Sequence, residues 1–231
     1  MSPAAILHHS QEEGGGEEEE NNVRIPLIDL ASNEIERMRQ GVKNGVPAFR
    51  SFPPTCLALL RSMGGNFRCV DCGDRNPQWA SVSYGALLCL QCSGHHRSLG
   101  VHVSCVRSVT MDEWTPKHVL QMLEGGNDQL HGFFVRHHLS QDALLADNTT
   151  SRNNNNSGTN KPTTRTALLS PENVTQLRYR TKAAQFYRQQ LDLHAERILQ
   201  AGRYQGRELS RRLLRHTNPP RMGKHSSSSV E

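Results

Sequence analysis

Apolar residues recur first at helical and then at strand spacing through the middle of the chain, and hardly at all near its ends. Over residues 26–40, Leu27, Leu30, Ile35 and Met38 fall near one face of an amphipathic helix, with Pro26 tolerated in its first turn. Pro53 and Pro54, with Thr55 as N-cap, open a short helix over residues 56–63 that Gly64 and Gly65 stop. Residues 81–90 alternate, which predicts a strand with Val82, Tyr84, Ala86, Leu88 and Leu90 on one face and Cys89 on the other. A second β-like run follows Gly100 at Val101, Val103 and Cys105. Thr115-Pro116 starts a helix whose apolar face is Val119, Leu120, Met122 and Leu123, and Gly125-Gly126 ends it; Leu130, Phe133 and Phe134 begin another. Ser170-Pro171 opens a last helix that runs through Tyr179, Ala183, Ala184, Phe186, Tyr187 and Leu191.

The pattern fails in three places. Residues 11–22 are mostly Glu and Gly with no apolar side chain, residues 147–166 are mostly Asn, Thr and Ser, and Ser226 to Ser229 is a serine run. Such stretches cannot bury enough surface to offset the entropy of ordering, so they are expected to be disordered. The organisation read from this is an acidic, disordered segment over 1–52 with a short helix, a domain over 53–195 interrupted by an Asn-rich insertion at about 141–169, and a basic tail over 196–231. The fold class expected is α+β, a small domain with a short antiparallel sheet surrounded by helices.

Composition adjusts the picture only slightly. The chain has 231 residues, of which 35% are hydrophobic, consistent with segments that never join a core. No run approaches the roughly 20 apolar residues of a membrane span, and the first 20 residues lack a signal-peptide core, so a cytoplasmic protein is expected. The net charge of +5 is concentrated late, with 15 bases against 7 acids in residues 141–231. That asymmetry suggests a nucleic acid, an anionic membrane or an acidic protein as partner, or else a solvated basic helix. Ile198, Leu199, Leu209 and Leu213 fall near one helical face among these bases, so the tail is expected to rest peripherally on an anionic membrane, although Gly202 and Gly206 weaken the helix.

The cysteines carry the chemistry. Cys69, Cys72, Cys89 and Cys92 form C-x2-C-x16-C-x2-C, two knuckles whose spacing suits one tetrahedral zinc ion. Four thiolates leave no open coordination position, so the zinc is expected to be structural and not a Lewis acid. His95 and His96 follow the second knuckle, but two complete cysteine pairs make a histidine ligand unnecessary; Cys56 and Cys105 read as core thiols.

The residues around the knuckles narrow the class. Asn76 to Val82 (NPQWASV) after the first pair and Cys92 to His102 (CSGHHRSLGVH) after the second closely resemble the catalytic domain of Arf GTPase-activating proteins. Val106-Arg107-Ser108, Met111-Asp112, Trp114, the Gly125-Gly126-Asn127 turn and the segment from Tyr179 to Arg188 extend the resemblance over roughly residues 55–195. Departures are small: His95 occupies a variable, usually apolar or bulky position, Met111 stands where leucine is common, and the insertion is longer and more polar than the family pattern.

The resemblance implies a zinc-finger-containing domain that stimulates GTP hydrolysis by an Arf-type small GTPase in its GTP form, in vesicle traffic, at Golgi or endosomal membranes. It implies that Arg97 is an arginine finger and that Trp79 packs the knuckle or faces the GTPase. Such a protein is not an enzyme in its own right; it lends a catalytic arginine to its partner. Arg107 and Asp112 match without an implied catalytic role, and Gly94 and Gly100 are expected to relieve crowding near the knuckle. Two other readings stand beside this one. A nucleic-acid-binding zinc module would use the basic C-terminal segment, but Arg97 is the only Arg or Lys between Cys92 and Val101. A non-catalytic Arf-binding scaffold would keep the fold without the finger.

Overall fold

A computed structural model describes residues 26–44, 49–140, 143–144 and 170–217. The expectations for residues 11–22, 147–166 and 226–229 lie outside the described residues. Helix α1 (Leu27–Lys43) buries Ala31, Ile35 and Met38, while Leu27 and Leu30 remain exposed. The buried stripe is thus rotated from the one read in the sequence, and it packs against helices α2 (Pro54–Ser62) and α4 (Pro116–Glu124). Helix α1 therefore belongs to the core.

Thr55 does not cap α2. The helix starts at Pro54, where a missing N–H costs nothing, and Glu34 of α1 accepts the N–H of Cys56 at 2.8 Å. Glu34 is buried, so a carboxylate from one helix satisfies and electrostatically favours the N-terminus of the next.

Residues 81–90 do not form one strand. Strand β1 (Trp79–Ser81) passes through a single 3-10 turn, Val82–Tyr84, to Gly85 and then to strand β2 (Ala86–Leu88). Both sides of this run are buried, so the alternation separates two packed faces and not a dry face from a wet one. The segment at 101–105 is likewise a turn: Val103 and Ser104 both donate to the carbonyl of Gly100, whose φ is 92°, and pairing begins only at strand β3 (Val106–Ser108). The sheet order is β2-β1-β3, antiparallel throughout, with Trp79 opposite Leu88 on one side and Ser108 on the other.

Helix α3 (Leu90–Ser98) leaves the end of β2. Thr115 caps α4 as expected, accepting the N–H of His118 at 3.2 Å. Helix α5 (Asn127–Arg136) then covers the open edge of β2 through one side chain. Asn127 accepts from the N–H of Leu87 at 2.7 Å and donates to the carbonyls of Leu87 and Arg68 at 3.2 and 2.5 Å. Helices α6 (Pro171–Tyr179) and α7 (Lys182–Ala201) divide a pattern that reads as continuous, because Thr181 accepts the N–H of Ala184 at 3.1 Å and so begins a new helix.

Helix α8 (Arg207–Thr217) is the last element. Ala195, Ile198 and Tyr204 share a buried cluster with Ile35 and Met38, and Leu199 packs against it. Ile198 and Leu199 of the face expected to rest on a membrane are thus turned into the domain, whereas Leu209 is exposed.

The joint between the sheet and α4 is a close backbone approach. Gly85 sits at φ 59°, its carbonyl accepts the N–H of Gly126 at 2.7 Å, and a Cβ on it would lie 2.5 Å from the carbonyl oxygen of Gln121 and 2.8 Å from the Cα of Gly125. Gly85→Ala adds left-handed strain to a backbone clash and is expected to lower stability by about 3 kcal/mol, read as a shift in the denaturant midpoint with unchanged slope.

Candidate functional site

Two tight turns bring four sulfurs together. The first knuckle closes when Gly73, at φ 76°, donates to the carbonyl of Cys69 at 2.9 Å while Cys69 donates to the carbonyl of Asp74 at 2.7 Å. The second is the start of α3 itself: Cys89 is the N-cap, and its Sγ accepts the N–H of Cys92 at 3.4 Å. Val70 joins the two by donating to the carbonyl of Leu87 at 3.1 Å. The ligating atoms of Cys69, Cys72, Cys89 and Cys92 all lie within 4.8 Å of one another, and those of Cys72 and Cys89 are 3.6 Å apart.

A tetrahedron with metal–sulfur bonds of about 2.3 Å has edges of about 3.8 Å, so the arrangement fits one zinc-sized ion. The electrostatics agree. The hydrogen bond from Cys92 pulls the Cys69 thiol down to about 5 against the effect of burial, whereas that same bond, burial and the Cys69 charge push Cys92 far up; burial raises Cys72 to about 11. A bound cation is what favours the thiolate form at all four positions. Cys56, with its thiol against the carbonyl of Ala31 at 3.6 Å, and Cys105 lie outside the cluster.

Beneath the knuckles lies a polar hub that sequence reasoning missed. Asp71, between the first two cysteines, accepts from His96 Nε2 at 2.9 Å, from Arg178 at 3.0 Å and from the hydroxyl of Tyr179 at 2.8 Å. Burial alone would raise the Asp71 carboxyl, but His96 and Arg178 outweigh it and hold it below the ordinary carboxylate value. The other nitrogen of His96 meets the Ser104 hydroxyl at 2.7 Å, which in turn meets that of Ser81 at 2.7 Å. Ser104, His96 and Asp71 thus line up in the order of a hydrolase triad. Ser104 and His96 are 2% and 0% exposed, so no substrate reaches the hydroxyl and the chain of bonds is structural. With both ring nitrogens engaged, His96 is not a metal ligand. Nothing local in the sequence marks this hub, since its partners come from three separate segments.

The hub and the knuckle hold opposite ends of α3 by its inner face, where Cys92, Ser93 and His96 are buried. The outer face carries Leu90, Gly94 and Arg97 at helical spacing, all exposed, with exposed Val101 just beyond. Arg97 makes no ion pair or hydrogen bond through its guanidinium among the described residues; its Cζ lies 4.4 Å from the ring centroid of half-buried Trp79 on β1. A Cβ on Gly94 would meet nothing within 4 Å, so crowding does not explain this glycine, although the positive φ of Gly100 does explain that one. Arg107 donates to the carbonyl of Glu113 at 2.8 Å and Asp112 accepts the N–H of Ser108 at 2.5 Å, so both brace the turn after β3.

Comparison with known proteins bears on this site. Residues 55–168 match the ArfGap family, described as "Putative GTPase activating protein for Arf". The chain is 49% identical over 83 residues to the ADP-ribosylation factor GTPase-activating protein GCS1 of Saccharomyces cerevisiae, covering 36% of this chain and 24% of that protein. It is 51% identical over 79 residues to the ADP-ribosylation factor GTPase-activating protein 3 of Mus musculus, covering 34% and 15%. A Cryptosporidium parvum crystal structure of a "putative GTPase activating protein for ADP ribosylation factor" aligns with 27% identity and a TM-score of 0.44, over 62% of this chain and 90% of that one. The matched segments span a quarter or less of the length of the two curated relatives.

The cluster geometry predicts one tightly held metal ion per chain. Elemental analysis of folded protein is expected to return one zinc per molecule, unchanged in Cys56→Ser and Cys105→Ser and lost in Cys69→Ser, and chelation is expected to unfold the domain, because apparent binding energies of such sites are about 10–16 kcal/mol.

Proposed function

We propose that this chain, which carries an ArfGap domain over residues 55–168, is a GTPase activator that stimulates GTP hydrolysis by an Arf-type small GTPase in its GTP form, with Arg97 as the arginine it inserts. The observation that carries the reading is the setting of Arg97. It is an exposed guanidinium without a carboxylate partner among the described residues, at the end of a helix whose inner face is fixed by a four-cysteine cluster and a buried carboxylate hub. Zinc is the ion proposed for the cluster, and when bound it supplies structural rigidity alone, since four sulfurs complete its coordination.

Phosphoryl transfer asks little covalent chemistry of an activator. The barrier falls by positioning and by neutralising charge on the transferred group, and an arginine given in trans to a small GTPase contributes about 10³–10⁵ in rate. A planar fork that is always charged matches two phosphate oxygens at once. At rest Arg97 is held against Trp79, which pre-orders a long side chain that otherwise loses rotamer freedom when it docks. The exposed stripe of Leu90, Gly94 and Val101 leaves α3 open to approach by a partner.

The proposed setting is vesicle traffic, with the protein cytoplasmic and peripheral at Golgi or endosomal membranes. Among the described residues no helix is long and apolar enough to cross a membrane. With Ile198 buried and Leu209 exposed, the proposed peripheral membrane contact of the C-terminal segment uses its charges and Leu209 but not Ile198.

Arg97→Lys keeps the charge but loses the fork. Single-turnover GTP hydrolysis by an Arf-type GTPase on liposomes is expected to slow about 100-fold or more with this variant, while circular dichroism and zinc content stay as in wild type. A folded, zinc-replete variant that works within a few-fold of wild type would overturn the assignment.

A further inference from the structure

Arginines gather where α5, α7 and α8 meet. Two adjoining hollows of about 590 and 480 Å³ share Gln129, Arg136 and Arg211, and Arg207 and Arg197 line one each. Arg207 and Arg211 both point Nη2 at the side-chain oxygen of Gln129, a neutral acceptor, and at main-chain carbonyls of Glu124 and Gly125. Arg207 Nε is buried without a partner among the described residues. Arg136 and Arg197 are exposed and make no hydrogen bond or ion pair among the described residues.

The carboxylates nearby do not balance this charge. Glu124 is fully buried and is engaged by His194 at 2.8 Å, with Arg211 Nε at 3.8 Å. Glu208 leans toward Arg212 at 3.8 Å, and Asp128 lies at the rim beside Gly64 and Gly65. Burial and then the like charge of Arg211 lower the pKa of Arg207, as expected when guanidinium groups crowd around too little negative charge.

We propose that this hollow is a binding site for a phosphate-bearing anion, held by Arg136, Arg197, Arg207 and Arg211. A phosphomonoester presents three charged oxygens in a tetrahedron and can take two or more guanidinium forks, whereas a carboxylate offers two oxygens in one plane. The hollows are also larger than a single carboxylate side chain requires. The group that fits could be the headgroup of a membrane lipid or a soluble phosphate ester. The site is built from helices other than α3, so it stands apart from Arg97 and does not rest on the activator reading.

The test is isothermal titration of the zinc-replete full chain with soluble inositol trisphosphate, beside flotation with phosphatidylcholine vesicles carrying either phosphatidic acid or phosphatidylserine at matched charge. The double variant Arg136→Gln/Arg197→Gln removes two exposed forks that hold no other group among the described residues, so folding is retained, and Arg37→Gln on α1 removes an exposed charge far in sequence from the hollow. Saturable one-to-one binding is expected, weakened at least about 10-fold in the double variant and less than about 2-fold in Arg37→Gln, since each charge-assisted bond contributes about 1.5–3 kcal/mol. Preference for phosphatidic acid vesicles that the double variant loses identifies a lipid headgroup as the source; saturable binding of the soluble ester without that preference identifies a free phosphate ester. Absence of saturable binding in both arms, or an equal loss in Arg37→Gln, overturns the proposal.

Discussion

Asp71 is the group on which the arrangement of the molecule depends. Placed between two cysteines of the cluster, it accepts from α3 through His96 and from the end of α6 through Arg178 and Tyr179, so one buried carboxylate ties the first knuckle to two helices. A buried charge is expensive unless every acceptor position is used, and here the bonds come from a histidine, a guanidinium and a phenol at once. Tyr179 of the hub packs edge to face with Tyr84 at 4.8 Å, its own hydroxyl on Asp71 and that of Tyr84 donating to the Tyr179 carbonyl at 3.2 Å, which leaves both rings to the apolar side.

The consequence for function lies in the two faces of α3. Its inner residues are fixed by sulfur at Cys92 and by the hub at His96, and Arg97 follows directly on the outside. A nine-residue helix has little stability of its own, so its direction is set by these anchors. That is the condition a catalytic arginine needs, because a guanidinium misplaced by an ångström loses most of its effect on a transferring phosphoryl group. Trp79 contributes from the sheet, where its register with Leu88 and Ser108 presents its ring to Arg97.

The parts of the chain that were legible in the sequence are those whose physics is local. The cysteine pairs are read from spacing because a knuckle closes within a few residues, and the Thr115 cap of α4 is read because a cap needs only the next turn. The α+β class and the ArfGap resemblance follow from the same short segments. What could not be read depends on distant partners. The Asp71 hub joins residues 25 and 108 positions apart, and Glu34 replaces Thr55 as the cap of α2 from 22 positions away. The alternation at 81–90 misled because both faces are buried and because Gly85 reverses the chain, and the helix pattern after 170 hid a break that only the cap at Thr181 marks. Ile198 and Leu199 show the usual ambiguity of an apolar stripe, which fits a core as well as a membrane until its neighbours are known.

The central claim is that Arg97 acts on the transition state and does not merely help the partner dock. The most direct measurement compares the affinity of wild type and Arg97→Ala for an Arf-type GTPase in two forms, one loaded with a non-hydrolysable GTP analogue and one with GDP and aluminium fluoride. An interaction made only in the transition state predicts that Arg97→Ala binds the GTP-analogue form within about 3-fold of wild type and loses about 100-fold or more for the aluminium fluoride form. Equal losses in the two forms, or none in either, would contradict it.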